Sequence, residues 1–138
     1  MTELLTLDNA RDLDDFVRNH PRGHYMQTTL YGRSRPDYKW NGIVIRGEDG
    51  KITASIALHS QASRFAGMRL FYAPRGPVFT TKEQFRAIIK AAREYCRENK
   101  GYLLRIDPPV SAEDDLFRHK ADGVVFYNIF KNIVGKLA

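Results

Sequence analysis

The chain has 138 residues, of which 43% are apolar and 28% are charged, and it carries a formal net charge of +6. This length and composition allow one buried core, which excludes two full domains and an intrinsically disordered chain. Its single cysteine, Cys96, excludes a disulfide framework within the chain and favours a reducing compartment. The positive charge favours acidic partners without choosing among phosphate-bearing ligands, nucleic acid and anionic lipids.

The sequence shows no signal for membrane insertion or export. No apolar run reaches the roughly 20 residues that span a bilayer, and the first residues lack the basic and apolar regions of a signal peptide. We therefore expect a soluble cytoplasmic protein, with a place at the inner face of the plasma membrane left open.

The first segment is predicted to form a helix and then a short strand. Asp8 is placed to cap a helix over residues 9–19, whose apolar side chains share one face. Residues 25–30 are short and β-prone, and the glycine- and proline-containing stretch 32–36 predicts a loop with exposed arginines. We expect this loop to contact a ligand.

The middle of the chain predicts a hairpin and a third strand. Residues 40–46 and 52–59 have strand-like patterns, and the turn-forming stretch 48–51 between them predicts antiparallel pairing. Residues 68–72 predict the third strand, which ends at the proline-containing stretch 73–77.

A long helix follows the third strand. Thr80 and Glu83 have the spacing of a capping box, and apolar residues then recur at helical intervals up to Cys96. Gly101 is placed to end this helix in a left-handed conformation. The next strand is predicted over residues 102–106.

The last part of the chain is more ambiguous. The Asp-Pro-Pro stretch 107–109 ends the preceding strand, and residues 111–114 resemble the start of another helix. Apolar residues between 126 and 137 fall at helical intervals and favour a terminal helix, although 124–127 alone would fit a strand.

This order of elements predicts one α+β domain over residues 1–138, with a mixed, mainly antiparallel sheet flanked by helices. The same order occurs in acyltransferases of the GNAT class, so we expect a GNAT-like fold. No phosphate-loop, dinucleotide, zinc or serine-hydrolase motif occurs, and the histidines lack metal-ligand spacing, which favours surface or structural roles for them. We expect no metal and no bound cofactor.

The turn after the third strand argues against acetyl transfer. GNAT enzymes hold the pyrophosphate of coenzyme A with consecutive backbone N–H groups of a glycine-rich turn, which here would be residues 75–78. Pro77 removes one of those N–H groups. Acetyl-CoA is therefore a poor candidate ligand.

Four stretches of the sequence together resemble one protein family. They are, in chain order, Phe16–Pro21, Met26–Thr28, Tyr72–Val78 and Arg105–Val110. In order and spacing they resemble the FemAB, or Fem-type, peptidyltransferases, and the last two stretches are unusual enough to be specific.

Members of that family are aminoacyl-tRNA-dependent transferases that build the cross-bridges of peptidoglycan. The resemblance implies an aminoacyltransferase that adds an amino acid from aminoacyl-tRNA, as co-substrate, to the stem peptide of UDP-MurNAc-pentapeptide or lipid II. Such an enzyme has two GNAT-like subdomains, and this chain resembles the first without the second. We expect a short homologue or a fragment, which leaves open whether the chain is active alone.

The resemblance also implies two substrate-binding residues near the first helix. The family's Gln-x-x-x-Trp-x-x-x-Lys stretch aligns with Gln27, Tyr31 and Arg35, and its following tryptophan aligns with Trp40. Arg35 keeps the positive charge that the family's lysine offers to the diphosphate, and a guanidinium can bind phosphate through two N–H groups. Tyr31 departs from the family pattern, which puts precise precursor choice in doubt.

Four further candidates lie at two strands. Tyr72 and Arg75 match the family pattern Tyr-x-Pro-Arg-Gly-Pro and are candidates for substrate binding, with core packing and turn formation as the alternatives. Asp107 is the catalytic candidate, as a general base for the attacking amine, although substrate positioning or turn formation is favoured. Tyr102, at the start of the same strand, is a further candidate for substrate binding.

Three alternatives stay open. The chain could be a non-catalytic module that binds the precursor, in which case a partner chain or a homodimer would complete it; apolar residues between 126 and 137 would favour self-association. It could be a GNAT-type N-acyltransferase that uses acetyl-CoA, against which Pro77 argues. A nucleic-acid binder ranks last, because the arginines are dispersed rather than interleaved with aromatic residues.

Overall fold

The computed structural model describes residues 1–64, 67–109 and 133–136. Within these ranges the strands form one sheet whose spatial order follows the chain order. The strands are β1 (Thr2–Leu5), β2 (Lys39–Arg46), β3 (Ile52–Ala62), β4 (Arg69–Ala73), β5 (Gly101–Ile106) and β6 (Ile133–Lys136). All neighbouring strands pair antiparallel except β4 and β5, which are parallel.

The helices of the described ranges lie on both sides of this sheet. They are α1 (Arg11–Arg18), α2 (Thr29–Ser34) and α3 (Lys82–Glu98), and a 3-10 turn (Tyr25–Gln27) precedes α2. None of these helices is long and apolar enough to cross a membrane. The α3 helix makes the connection that two adjacent parallel strands require, because a tight turn cannot join strands that run in the same direction. The expected mixed sheet flanked by helices is confirmed.

Each face of the sheet has its own apolar core. The α3 face buries residues of β2, β3, β4 and β5 together with Phe85, Ile88, Ala92 and Cys96 of the helix. The opposite face packs against Leu13 and Val17 of α1 and includes Trp40, Val44, Ala57 and Val78. Along β2 to β5, the alternation of side chains between the two faces assigns the buried ones to one core or the other.

Several sequence predictions are confirmed. The hairpin of β2 and β3 is present, and Gly50 in its turn has a left-handed φ of 80°, which glycine adopts without steric cost. The long helix α3 and the strand β5 lie within a few residues of their predicted bounds. Cys96 is buried in α3, as its apolar position indicates.

The predicted strand over residues 25–30 is wrong. Its residues form the 3-10 turn and the start of α2. The cause lies in side chains distant in sequence, because the Asp14 carboxylate accepts hydrogen bonds from the backbone N–H of Thr29, at 2.8 Å, and from its hydroxyl. A carboxylate that binds these donors stabilises a helix start over a strand.

The predicted helix ends need three corrections. Asp8 does not cap α1, whose N-cap is Ala10 without a side-chain hydrogen bond. The capping box of α3 is formed by Thr81 and Gln84, one position later than predicted. The left-handed residue after α3 is Lys100, with a φ of 63°, and Gly101 already belongs to β5.

The chain termini also differ from expectation. The short strand β1 was missed, since four residues give little periodicity. The predicted terminal helix is wrong at residues 133–136, which form β6 and pair with β5. The predicted helix start at 111–114 and the rest of the terminal helix lie outside the described residues.

Candidate functional site

A polar row crosses the sheet on the face that packs against α1. Residues directly opposite one another on paired strands point to the same side. His59 lies opposite Tyr72, and Tyr72 lies opposite Arg105, so these three side chains form the row across β3, β4 and β5. The Arg105 guanidinium carbon lies 5.1 Å from the centre of the Tyr72 ring.

The α2 helix and the loop after it cover one end of this row. The rings of Tyr31 and Tyr38 have their centres 5.3 Å and 6.3 Å from that of His59. Arg35 places its guanidinium carbon 4.9 Å from the centre of the Tyr38 ring and donates a hydrogen bond of 3.3 Å to the Tyr31 hydroxyl. Asp37 adds an ion pair of 3.6 Å with Arg35 Nε.

These contacts fix the position of the Arg35 guanidinium at the protein surface. Its side chain is 42% exposed, and the hydrogen bond to Tyr31 raises the pKa of Arg35, so that it stays charged. A guanidinium held in place loses less conformational freedom when it binds an anion than a mobile one does. The group can therefore bind a phosphate.

His59 lies beneath the two tyrosine rings with only 4% of its surface exposed. Burial and then the nearby Arg35 charge lower the pKa of His59 to about 4, and a hydrogen bond with the Met26 backbone opposes them. The ring is therefore neutral at neutral pH. Its Nε2 atom has no hydrogen-bond partner in the part of the chain that the structure describes.

Charged residues surround Tyr72 where β4 and β5 end. Burial raises the pKa of Tyr72, and the Asp107 carboxylate raises it further, whereas Arg105 and Arg75 lower it. Burial also lowers the pKa of His24, with Arg75 lowering it and Asp107 opposing. Charges act most strongly on one another over short distances, which is consistent with the position of these side chains at the same ends of β4 and β5.

Gln27 ties the elements of the site together. Its buried amide nitrogen donates to the carbonyls of Ala57, at 3.2 Å, and Pro74, at 2.8 Å, and its oxygen accepts from the Ala57 N–H at 2.8 Å. A side chain at Gly76 would collide with the Gln27 amide. The glycine of the Arg-Gly-Pro stretch therefore leaves room for this amide.

The loops after β4 and β5 are also joined directly. The Asp107 N–H donates a hydrogen bond of 3.2 Å to the Gly76 carbonyl. Because β4 and β5 are parallel, their carboxyl ends meet at the same edge of the sheet, and this bond holds Arg75 and Asp107 at that edge.

The two remaining predicted site residues are Trp40 and Tyr102. Trp40 lies opposite His59 in β2 and so on the same face of the sheet, but it is 4% exposed and packs in the core, with its indole against Gly32 and Gly42. Tyr102 lies at an irregularity in the pairing of β4 with β5, at the start of β5. Asp107 lies five residues further on, roughly 16 Å along an extended strand. The structure thus brings together Arg35, Tyr72, Arg75 and Asp107, but not Tyr102.

Sequence reasoning missed His59 and Arg105 as members of the site. The sequence places both in strands, but it gives no pairing register, so their positions beside Tyr72 could not be read from it. His59 had the strand pattern of an inward-pointing residue, which was the one available signal.

A shallow hollow of about 300 Å³ lies near His24, between α1, the 3-10 turn and α2. Tyr25 and Leu30 line it and are exposed, at 57% and 71%.

No group of three His, Cys, Asp or Glu side chains that could hold a metal occurs in the described ranges. The arrangement offers cationic, aromatic and hydrogen-bonding groups, which are the kinds of group that can position a ligand.

Comparison with curated proteins finds relatives that share one description. The chain is 30% identical over 103 residues to "Lipid II:glycine glycyltransferase" of Staphylococcus aureus (strain bovine RF122 / ET3-1), covering 72% of this chain and 24% of the relative. The protein of the same description from Staphylococcus aureus strain USA300 is 29% identical over the same length. The chain thus spans about a quarter of the length of these relatives.

Solved structures agree in fold. The crystal structure of FemX matches with a TM-score of 0.69 and 26% identity, over 81% of this chain and 28% of that one. A ribosomal-protein-alanine N-acetyltransferase from Brucella melitensis biovar Abortus 2308 matches with a TM-score of 0.58 at 15% identity, over 83% and 84% of the two chains. The second match shows the fold alone and confirms the GNAT-like α+β expectation.

The family comparison covers most of the chain. The model of the FemAB family matches residues 9–126, which include α1, α2, α3, the strands β2 to β5 and the polar row. The resemblance read from the four sequence stretches is therefore confirmed, and this chain belongs to the FemAB family.

Proposed function

We propose that this chain is the precursor-binding part of an aminoacyltransferase that acts in the formation of peptidoglycan interpeptide bridges. In this proposal, an amine of the precursor's stem peptide attacks the ester carbonyl of an aminoacyl-tRNA. The new amide bond forms as the ester bond to the tRNA breaks, and the amine loses one proton while the released hydroxyl of the tRNA gains one. The ligand of this chain is UDP-MurNAc-pentapeptide or lipid II, both of which carry a diphosphate.

The held guanidinium of Arg35 is the observation that carries this proposal. It combines a fixed position, a permanent charge and exposure, which together suit a phosphate ligand. The relatives described as acting on lipid II support a diphosphate-bearing precursor as that ligand. Trp40, by packing against Gly32 of α2, supports the helix from which Arg35 extends.

The other end of the polar row suits the peptide side of the precursor. Tyr72, Arg75, Arg105 and Asp107 offer donors and acceptors at the strand ends, where a peptide and its amine can be held. Chemistry of this kind needs alignment more than a nucleophile, because the ester is already activated. Asp107, which its backbone bond to Gly76 holds at the strand end, is proposed to position the substrate.

Calorimetric titration with UDP-MurNAc-pentapeptide tests the proposal. We expect the wild-type chain to bind it and Arg35→Ala to bind at least about tenfold more weakly, because charge-assisted hydrogen bonds to phosphate are lost. Arg35→Lys keeps the charge but not the planar group that binds phosphate through two N–H groups, so its affinity should lie between those of wild type and Arg35→Ala. Parallel titrations with acetyl-CoA and with tRNA distinguish an acetyltransferase and a nucleic-acid binder.

Arg33→Ala is the matched control. Arg33 is two residues away, and its guanidinium donates to the Leu7 carbonyl at 2.8 Å, away from Tyr38 and His59. The variant loses the same charge and should bind the precursor like wild type. An equal loss of precursor affinity in both variants would show that only the net charge of the chain matters, which contradicts a specific role of Arg35. Tight binding of acetyl-CoA without binding of the precursor would refute the proposal.

A further inference from the structure

His59 combines deep burial with an unsatisfied polar atom. It is 4% exposed, and its Nε2 has no hydrogen-bond partner among the described residues. Buried polar atoms of folded proteins are paired in the great majority of cases, so each exception requires an explanation. A ligand that supplies the missing partner is one such explanation.

The contacts of the ring define which hydrogen bond Nε2 can make. The Met26 backbone raises the pKa of His59, which is the effect of a carbonyl that accepts from a ring N–H. Since Nε2 is unpaired, the donor is Nδ1. A neutral ring protonated at Nδ1 has only a lone pair at Nε2, so Nε2 is an acceptor.

The position of Nε2 places this acceptor beside Arg35. Nε2 is the ring nitrogen farther from the backbone, so it points away from the sheet, toward the layer that holds Tyr31 and Tyr38. The Arg35 guanidinium lies over Tyr38 and is close enough to lower the pKa of His59. Both tyrosines are half-buried while Nε2 itself is buried, so a ligand reaches Nε2 only when one of these rings turns aside.

We propose that His59 Nε2 accepts a hydrogen bond from an O–H or N–H group of the ligand, next to the phosphate that Arg35 binds. A guanidinium only donates and a phosphate diester only accepts, so Arg35 selects the phosphate. An acceptor selects the hydroxyl or amide groups that a diphosphate-linked sugar carries. This inference rests on the proposed function and adds a specificity-determining residue to it.

Two variants of His59 test the roles of its two ring nitrogens separately. His59→Asn keeps an amide donor near the position of Nδ1 and has no group at Nε2. His59→Gln places an amide oxygen near Nε2 and loses the donor to Met26. We expect His59→Asn to stay as stable as wild type but to bind UDP-MurNAc-pentapeptide about three- to tenfold more weakly. His59→Gln should be less stable and bind within about twofold of wild type.

This crossed pattern distinguishes ligand contact from a structural role. If His59 only supports the fold, affinity follows stability, so that His59→Asn binds like wild type and His59→Gln binds weakly; that result overturns the inference. If Arg35→Ala weakens binding while His59→Asn does not, the role of His59 fails and the proposed function stands. If the wild-type chain does not bind the precursor, both fail.

A measurement on the wild-type chain removes the dependence on variants. In ¹⁵N NMR of histidine-labelled protein, the unprotonated Nε2 of His59 should shift upfield when UDP-MurNAc-pentapeptide binds, as a lone pair does when it accepts a hydrogen bond. A bound state without this shift overturns the inference. Titration with UDP alone locates the donor, since a shift with UDP assigns it to the nucleotide and a shift only with the precursor assigns it to the sugar or peptide.

Discussion

At the scale of single residues, Gln27 connects three parts of the chain through one buried amide. Its hydrogen bonds reach both backbone groups of Ala57 in β3 and the carbonyl of Pro74 after β4. The same amide requires the bare backbone of Gly76. Two stretches of sequence that mark the family, one around Gln27 and one around Gly76, are thus two sides of one contact.

Gln27→Leu should lower the free energy of unfolding by about 2–4 kcal/mol, because three hydrogen bonds vanish and the buried backbone groups of Ala57 lose their partner. Urea denaturation followed by circular dichroism measures the change. Gln61→Leu, at an exposed position of β3, is the control and should stay within about 0.5 kcal/mol of wild type. Equal effects in the two variants would contradict the role of Gln27.

Site residues differed in how far the sequence could predict them. The family stretches pointed to Arg35, Tyr72, Arg75 and Asp107, and the structure places these four around one polar row. His59 could not be assigned, because its neighbours Tyr31 and Tyr38 come from a helix and a loop outside its own strand. The role of a residue cannot be predicted from the spacing of its neighbours in sequence when it depends on contacts between distant segments.

At the scale of elements, the start of α3 shows how a side chain sets a helix boundary. Thr81 Oγ1 accepts from the Gln84 N–H at 3.1 Å, and Gln84 Oε1 accepts from the N–H groups of Thr80, at 2.8 Å, and Thr81, at 3.0 Å. The Thr80 hydroxyl oxygen instead accepts from His20 Nε2 at 3.0 Å, because His20 Nδ1 accepts from the Arg22 N–H and the ring proton is therefore on Nε2. The sequence predicted Thr80 as the cap, but its hydroxyl contacts His20, which follows α1, and Thr81 caps the helix instead.

Thr81→Ala should lower the free energy of unfolding by about 1 kcal/mol, which is the usual loss when a helix cap is removed. Thr80→Ala is the matched control. It should cost less, because it removes one exposed side-chain hydrogen bond and leaves the capping box intact. Thermal unfolding of both variants checks the order, and a larger loss in Thr80→Ala would favour the boundary predicted from the sequence.

At the scale of the whole molecule, local and distant pairings differed in predictability. The hairpin of β2 and β3 joins neighbouring segments through a turn with a glycine at positive φ, and its signal is local. The outer strands β1 and β6 pair with β2 and β5 across long stretches of chain, and each has only four residues. Their positions depend on the free edges of β2 and β5, which exist only once the rest of the sheet has formed.

The stability of the whole fold should depend on pH through its histidines. The pKa values of His20, His24 and His59 are all lowered in the fold, mainly by burial, and that of His59 falls from 6.5 to about 4. The unfolded chain therefore binds more protons than the folded chain in this window, so stability is full above pH 6.5 and is lost as the pH falls toward 4.

For His59 alone this linkage amounts to about 3 kcal/mol between the two ends of the window. Urea denaturation at a series of pH values measures it. His59→Asn keeps the donor to Met26 but cannot titrate, so its free energy of unfolding should fall less steeply on acidification than that of wild type. Parallel pH curves for the two proteins would contradict the assignment of a lowered pKa to His59.

The packing of Trp40 makes the region beside Arg35 open to optical observation. Trp40 is the only tryptophan of the chain, and its indole is buried against Gly32 of α2, three residues before Arg35. Its fluorescence therefore arises from one place, at the junction of α2 with the sheet. A change in emission wavelength reports on the seating of that helix, and the protein needs no added dye to show it.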